Sequence, residues 1–579
     1  MFKPDNMSEV NIIFQREKLS EITDILYEQE LIEFFEINED ELESFDHTDL
    51  NDLSARLLKV RSCITILKKY FRKDLANASD DSVSKTLELK NDLDNSNKEL
   101  IKLKDDHKRS KILNNLKITP DVLKSKDTTI GFVPHSNFKS TKVEFGNKKV
   151  KFTTYRKDDR VYFYANTKKI PFKFKEFYIP KETESNLNSK ITKCENKIAK
   201  CEIELRRLAN NNLENLRFIE NRLKKEIEVL ESKPKFKTTK NITIISGFVP
   251  TKSIKKFEDT ICKALEGKCE IIIKEARDEN NTPIKLSNSN NINQFEELLK
   301  MYSLPKYGEF DPTLLLFLIF PIFFGFILGD VVYGLISLIF FSVLRIKYPN
   351  LKDFMSILQL SSITSMIFGI IYGEFMGFEF HGSFYGLFER SHEPEMLLVF
   401  AIIFGIIHIN LGLIVGIVNM LPNWKKALYD KVSFIILQIA VAIIYLGTTS
   451  SNFTAKIIGW LLLVGSIGLI YMGHGFIGVM EIPSFFTNIL SYARLMAVGL
   501  SSVVIAILIN DYSQVFFEKG FFGIIAGIIL FSVGHVFNIA LGNFEGFLHT
   551  LRLHYVEFFT KFYSGGGREF KPFGRKTFE

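Results

Sequence analysis

The sequence predicts a multi-domain protein: cytoplasmic α+β lobes joined by an antiparallel coiled coil, followed by an eight-span α-helical membrane domain. Three observations carry this. The 579-residue chain is sharply divided: residues 1–305 are charged and Lys-rich, whereas residues 313–553 hold apolar runs long enough to cross a bilayer core of about 30 Å. Two stretches of the polar half carry heptad spacing. Short runs rich in β-branched and aromatic residues lie around them and read as strands. The net charge of +7 is spread along the polar half and the loops. No basic arm with interleaved aromatics concentrates it, so no nucleic-acid partner is expected.

Met1 is followed by FKPDNMSEV, which lacks the apolar core of a signal peptide. The polar half is therefore expected in the cytoplasm, where the five free thiols Cys63, Cys194, Cys201, Cys262 and Cys269 are normal. They form no CxxC pair and no cysteine–histidine cluster with zinc spacing, so no metal or cofactor is expected. Residues 1–50 and 236–305 are assigned to a proximal lobe. Each part reads strand–helix–strand: VNIIF, a helix and LIEFFEI; then NITIISGFVP, a helix and CEIIIKE. Residues 51–119 and 183–235 are coiled-coil arms. Leu89, Leu93, Leu100 and Leu103 share one seam. Ile191, Cys194, Ile198, Cys201, Leu205 and Leu208 form another, which shifts by one and resumes at Leu216, Ile219, Leu223 and Leu230. Cys194 and Cys201 are thus seam residues rather than ligands. Residues 120–182, with the run KVKFTTYRKDDRVYFYA, form a distal α+β lobe, which places the arms antiparallel with that lobe at their tip. GFVP occurs at Gly131–Pro134 and again at Gly247–Pro250, an echo of two related lobes. There is no G-x-x-x-x-G-K-[ST] loop and no G-x-G-x-x-G, so no nucleotide site is expected.

Residues 306–560 are the membrane domain and residues 561–579 a cytoplasmic tail. The spans read as 313–329, 331–344, 355–378, 395–420, 432–448, 457–475, 483–509 and 520–556. Residues 313–344 as one helix would measure about 48 Å, so a break at Gly329-Asp330 is preferred. Loop charge agrees: residues 345–353 and 423–431 carry three basic residues each and the tail from Lys561 carries five, against one each in 379–394, 449–456 and 510–519. Basic loops belong inside, which gives eight spans with both termini cytoplasmic. The intervening loop 476–482 lacks positive charge and gives no support.

Arg494 stands near the middle of the apolar run Pro483 to Ile509. A guanidinium at the centre of a span costs roughly 2.5–3.5 kcal/mol on insertion scales, and arginine cannot shed its proton. Snorkelling to an interface would have to cross much of a leaflet. In the last span His535, Asn538, Gly542, Glu545, His549 and Arg552 step by 3, 4, 3, 4 and 3, one stripe of a helix. Such a stripe faces protein or water rather than lipid; the plainer reading is a hydrogen-bonded helix–helix face. His554 and Glu557 lie just beyond. Ser491 lies one turn before Arg494. Glu481 precedes Pro483, which suits a helix start, and is either a proton relay or a helix N-terminal carboxylate. Asp330 is expected to cap the turn between the first two spans; Glu374, His408 and His474 are polar residues of lower rank in or beside apolar runs.

These residues carry a resemblance. NILSYARLMAVGL (488–500) resembles the seventh-span motif of the a/I subunit of V-type and archaeal-type (A-type) rotary ATPases, and so does FEGFLHTLRLHYVEFFTKFYSGGGREFKPF (544–573) over some thirty residues. GDVVYG (Gly329, Asp330, Val331, Val332, Tyr333, Gly334) is similar to that family's Gly-Asp-x-Gly-Tyr-Gly turn, with Val332 in place of a glycine. The polar half matches by layout, not by motif. The resemblance implies a stator: a membrane half facing a rotor ring of proteolipid (c/K/L-type) subunits, and a polar half holding peripheral-stalk subunits of the E/G type and a central-stalk subunit of the C/d type. Arg494 matches the family's indispensable arginine and Arg552 its partner on the last span. Glu481, His549 and Glu557 match positions linked with two ion half-channels, joined as candidates by Glu545, His535, Asn538 and Ser491. A ring carboxylate crossing lipid must be neutral; a fixed arginine beside it favours the ionised form and expels the ion. On this reading no covalent chemistry occurs in the chain, and it resides in a plasma membrane or an acidified organelle membrane.

Two other classes remain. A secondary ion transporter with a cytosolic regulatory domain would favour repeated membrane halves, and no such repeat is visible. A membrane-anchored scaffold would have no need of a buried arginine and a polar stripe.

Overall fold

A computed structural model describes residues 3–35, 50–70, 82–116, 118, 129–134, 152–157, 160–165, 167, 174–180, 182–266, 268–278, 281–379, 390 and 393–574. Two compact units emerge, one of Phe45–Pro234 and one of Met1–Ser44 with Lys235–Glu579.

The second unit opens with an antiparallel sheet. Its strands are β1 (Met7–Gln15), β2 (Glu33–Phe34), β8 (Ile242–Pro250) and β9 (Cys269–Glu275) in the order β2-β8-β1-β9, with β7 (Lys237–Thr238) also on β8. β1 and β8 pair along their whole length, Met7 opposite Pro250 and Gln15 opposite Ile242. The alternation in VNIIF puts Val10, Ile12 and Phe14 in the core, and the helices Leu19–Gln29 and Ile254–Ala264 bury Ile22, Leu26, Phe257 and Ile261.

The Phe45–Pro234 unit holds the helices Leu50–Lys68, Ser82–Asn115 and Glu184–Ser232. Cross-helix pairs fix their direction: Arg61 with Glu220, Lys85 with Glu204, and Lys104 with Glu195. Along Ser82–Asn115 the numbers rise as they fall along Glu184–Ser232, so these two helices run antiparallel, and Arg61 sets the first helix beside Glu220. Those exposed pairs contribute little each; the buried seam of Val60, Cys63, Leu67, Leu93, Cys201, Leu205, Leu213, Leu216 and Leu223 holds the helices together. The Cys194 thiol donates to the Ser96 carbonyl at 3.2 Å. Leu100 and Leu103 are only half-buried. A second antiparallel sheet has the order β4-β5-β3-β6, from β3 (Thr129–Pro134), β4 (Phe152–Lys157), β5 (Arg160–Ala165) and β6 (Lys175–Glu176). The rest of the expected distal lobe, including 120–128 and 135–151, lies outside the described residues.

The GFVP echo has a structural meaning. Gly131 and Phe132 pair with the two-residue edge strand β6, just as Gly247 and Phe248 pair with β2. A Cβ at Gly131 would meet the Phe174 ring at 2.4 Å, and one at Gly247 would meet Ile32 Cγ1 at 2.5 Å. Each glycine lets a short edge strand lie close against the sheet.

The apolar region supplies the helices Thr313–Leu328, Val331–Lys347, Lys352–Tyr372, Pro394–Met420, Ser433–Thr449, Phe453–Leu490, Ala493–Phe517 and Gly520–Arg552. Among the described residues five helical stretches are long and apolar enough to cross a membrane, and Thr313–Leu328 is a shorter apolar helix. Local chemistry sets the ends. The Asn452 side chain accepts from the Thr454 and Ala455 amides, Pro394 opens its helix, and Gly373 closes Lys352–Tyr372 in the left-handed conformation.

Four expectations are corrected. The third span stops at Tyr372, and residues 374–379 form a hairpin of β10 (Glu374–Phe375) and β11 (Phe378–Glu379). The segment 476–482 is helical rather than a loop, because the reversal is made at Gly475, with φ 64° and ψ −146°. Pro483 stands inside a helix rather than at its start. Arg494 occupies the first turn of Ala493–Phe517 instead of mid-helix.

The end of the chain returns to the sheet. Ile284 exchanges backbone bonds with the tail (Ile284 N to Arg568 O, 2.7 Å; Phe570 N to Ile284 O, 2.9 Å), and the Phe573 amide donates to Ile32 O at 2.7 Å. Arg568 pairs with the buried Glu33 carboxylate, which also accepts from the Lys571 amide at 2.6 Å.

Candidate functional site

The turn GDVVYG anchors one side of the membrane region. Gly329 takes φ 27°, Asp330 Oδ1 accepts from the Tyr333 amide at 2.9 Å, and Asp330 Oδ2 accepts from the Met376 amide at 2.6 Å. Gly334 packs against Met366 and Ser362 of the next helix. The Tyr333 hydroxyl reaches His535 Nδ1 at 2.7 Å and accepts from Asn538 Nδ2 at 3.0 Å. Asn538 also donates to Ser502 O at 2.8 Å, and His535 Nε2 lies 2.9 Å from Asn510 Oδ1.

The inner end of the polar stripe is therefore a hydrogen-bonded network, in which Asn538 Oδ1 is buried without a partner among the described residues. His535, Asn538 and Gly542 are buried, Glu545 and His549 are half-buried, and Arg552 is exposed. Over the 17 residue steps from His535 to Arg552, about 26 Å of helix, the stripe passes from packed interior to surface.

Arg494 lies at the outer end. Residues Ser491 and Tyr492 form a tight turn, with the Arg494 and Leu495 amides bonded three residues back, to Ser491 O at 3.2 Å and Tyr492 O at 2.9 Å. Arg494 Nη1 stands 3.8 Å from Glu557 Oε1, and the side chains are 20% and 2% exposed. Nη1 makes no hydrogen bond among the described residues, and neither does Glu557 Oε2. Glu557 is carried by a π-helical segment, Leu553–Phe558, a form of helix frequent at functional sites. The Ser491 hydroxyl donates to Thr487 O at 3.0 Å and lies within the field of the Glu557 carboxylate. His549, Glu545, Arg552 and Arg494 share one electrostatic neighbourhood.

Glu481 does not join this group. It is exposed on the preceding helix, where it is felt by Lys431 and Lys561. His474 pairs with Asp430 at 3.0 Å beside the Gly475 reversal.

Two clusters escaped the sequence reading. Arg390, 1% exposed, donates to both oxygens of Glu374 and to the carbonyls of Ile327 and Gly329. Its only signal in the sequence is one basic residue in a loop. His408 Nδ1 meets the Tyr492 hydroxyl at 2.7 Å, and its ring lies 4.8 Å from that of His554. Each histidine is visible alone, but the 146-residue separation hides the pairing.

Chemically, the site offers a permanent cation with donor capacity to spare and one loosely placed carboxylate. Arginine brings five N–H donors and no acceptor.

Comparisons with known proteins bear on the family of the chain. The V-type ATPase 116 kDa subunit family matches residues 163–397 and 484–575, which include the GDVVYG turn, Arg494, Arg552 and Glu557 but not Glu481 or His408. The A-type ATP synthase subunit I of Archaeoglobus fulgidus is 28% identical over an alignment covering 99% of both chains. That of Pyrococcus abyssi is 34% identical over 57% of this chain and 53% of its own length. That of Methanocaldococcus jannaschii is 32% identical over 58% and 56%. In the latter two the chain spans about half the length of the relatives it matches. With the matched stretches covering more than half of the chain and the long apolar helices in place, this integral membrane protein belongs to the V-type ATPase 116 kDa subunit family.

Proposed function

We propose that the chain is the stator membrane subunit of a rotary ion-translocating ATPase or ATP synthase. It forms two offset ion half-channels against a rotor ring of proteolipid subunits, and its polar part anchors peripheral-stalk and central-stalk subunits. It spans the membrane eight times with both termini cytoplasmic. ATP chemistry takes place in other subunits.

The observation that carries the reading is the incompletely satisfied guanidinium of Arg494, 3.8 Å from its one carboxylate. A second carboxylate brought to about 4 Å would gain about 4 kcal/mol in its ionised form at an effective dielectric constant near 20. That favours loss of the ion as a ring carboxyl arrives, and the fixed charge also blocks a direct leak between half-channels. Arg552, His549 and Glu545 extend the polar surface beside Arg494, and Glu557 keeps Arg494 in register. His535 and Asn538 lead toward the opposite face. The separate position of Glu481, among Lys431 and Lys561, suits the mouth of a cytoplasmic half-channel.

The test is Arg494→Gln in the assembled complex, with ATP-driven ion uptake into vesicles and ATP hydrolysis measured together. Transport should vanish while the complex still assembles. Uptake at a normal rate would make Arg494 structural and overturn the reading.

A further inference from the structure

We infer that His408 is a positioning residue that fixes the spacing between Arg494 and Glu557, a claim that rests on the function proposed above. His408 lies on Pro394–Met420 and is 1% exposed. It touches both segments that bring the charges together. Its Nδ1 lies 2.7 Å from the hydroxyl of Tyr492, two residues before Arg494. Its ring stacks on Phe558, the residue after Glu557, with centroids 4.0 Å apart and planes at 19°.

Tyr492 has no freedom to compensate. It is fully buried, its ring lies so close to Gly405 that a Cβ there would meet Tyr492 Cδ2 at 2.7 Å, and the edge of Phe323 packs on it with centroids 5.8 Å apart. The tyrosine therefore pins the tight turn from which Arg494 emerges, and His408 pins the tyrosine.

The hydrogen-bond directions are self-consistent. His554 Nδ1 lies 2.8 Å from the Thr550 carbonyl, which can only accept, so this nitrogen carries the proton and Nε2 is an acceptor. Where the Tyr492 hydroxyl donates to His408 Nδ1, His408 Nε2 carries the proton and is a donor. Both ε nitrogens are buried without partners among the described residues, on rings whose centroids are 4.8 Å apart. In that tautomer the pair presents one donor and one acceptor in a shared interior, and with the Phe323 ring of Thr313–Leu328 also against it, centroids 5.0 Å apart, His408 is held by three elements at once.

The experiment compares four variants in the full complex: Tyr492→Phe, His408→Asn, His408→Gln and Arg494→Gln. Subunit content, ions moved per ATP and hydrolysis are measured for each. Tyr492→Phe removes one oxygen and should lower the ions moved per ATP about fivefold, the factor one buried hydrogen bond is worth, with assembly intact. His408→Asn places an amide atom where Nδ1 stands and should retain more coupling than His408→Gln, whose amide sits one bond further out. A role in packing alone predicts the reverse order, because Gln fills more of the space. If Arg494→Gln abolishes transport while Tyr492→Phe is fully coupled, or if Gln serves better than Asn, the positioning role is overturned and the stator reading stands. If Arg494→Gln transports normally, both fall.

Discussion

Replacing Glu374 with Gln should destabilise the membrane region by about 3–5 kcal/mol, the cost of removing one partner from a buried ion pair. The structure sets where in that range the value falls. Arg390 is 1% exposed and the Glu374 side chain 9%. Arg390 Nε donates to Glu374 Oε1 at 2.9 Å, while Nη1 and Nη2 donate to Ile327 O at 3.0 Å and Gly329 O at 2.9 Å. Those carbonyls belong to the end of Thr313–Leu328, where the last carbonyls of a helix lack intrahelical partners. The guanidinium also lies 4.5 Å over the Tyr372 ring. A glutamine in place of Glu374 would keep the shape and one acceptor, and the carbonyls would still soften the uncompensated charge, so the lower end is expected, about 3 kcal/mol. Arg390→Met should cost more, because it strands Glu374 and the carbonyls together. Combining Arg390→Met with Glu374→Met should cost less than the two singles added. The assay is retention of a monodisperse species after heating in detergent, run as a double-mutant cycle. An E374Q protein as heat-resistant as the parent, or a cycle that is simply additive, would refute the clamp.

Four further outcomes are expected. Burial pushes the Glu33 carboxyl above its usual range, against the opposing pull of the Lys571 amide and Arg568. The folded state therefore binds that proton more tightly than the unfolded one, and stability falls as pH rises through the window above the ordinary carboxylate value. Arg568→Gln should widen the window and loosen the tail by about 1–2 kcal/mol at pH 7 and by less at pH 5, read as hydrogen exchange at Phe570 and Phe573. Burial also pushes the Cys269 thiol up to about 11, beside Cys262 with sulfurs 3.8 Å apart; iodoacetamide should label it slowly at pH 8 and faster toward pH 11, and labelling at the rate of a free thiol at pH 8 would contradict the burial. Asn538→Leu should cost about 1–3 kcal/mol of stability by stranding its partners, whereas Arg552→Ala should leave heat resistance within about 0.5 kcal/mol and reduce ion transport.

What the sequence disclosed follows from the range of its signals. Alternation and the 3.6-residue period are local, so VNIIF and CEIIIKE were legible as strands around their helices. The GFVP echo was legible as a string, but its cause, an edge strand crossing each glycine, is a contact between distant segments. Hydropathy reports depth and not backbone direction. It therefore read residues 476–482 as a loop, although the chain reverses at Gly475 and continues as helix through Pro483. A proline inside an apolar helix is tolerable where the environment re-satisfies the freed carbonyl. The helix Leu50–Lys68 has no strong amphipathic period, so its place on the seam through Val60, Cys63 and Leu67 was hidden.

Two arginines of the apolar region, Arg390 and Arg494, show why burial alone does not identify a functional charge. Arg390 is the more deeply buried, yet its donors are directed at a carboxylate and at helix-terminal carbonyls, and its face is covered by Tyr372. That is how a chain holds a cation still: every direction of approach is already taken. Arg494 is one-fifth exposed, its nearest carboxylate stands at 3.8 Å rather than in hydrogen-bond contact, and Nη1 is without an acceptor among the described residues. A stability-driven arrangement would have closed that gap, since an under-paired charge in an apolar region is costly. The gap instead leaves Arg494 with more to gain from an arriving anion than Arg390 has. The surrounding parts keep it so: Tyr492 and His408 hold the turn before it, and the backbone of the π-helical segment sets Glu557 at its distance. On the function proposed here, such a site would stay unsatisfied until a mobile carboxylate completed it and would become so again each time that carboxylate left, which is the cycle a rotary stator has to run.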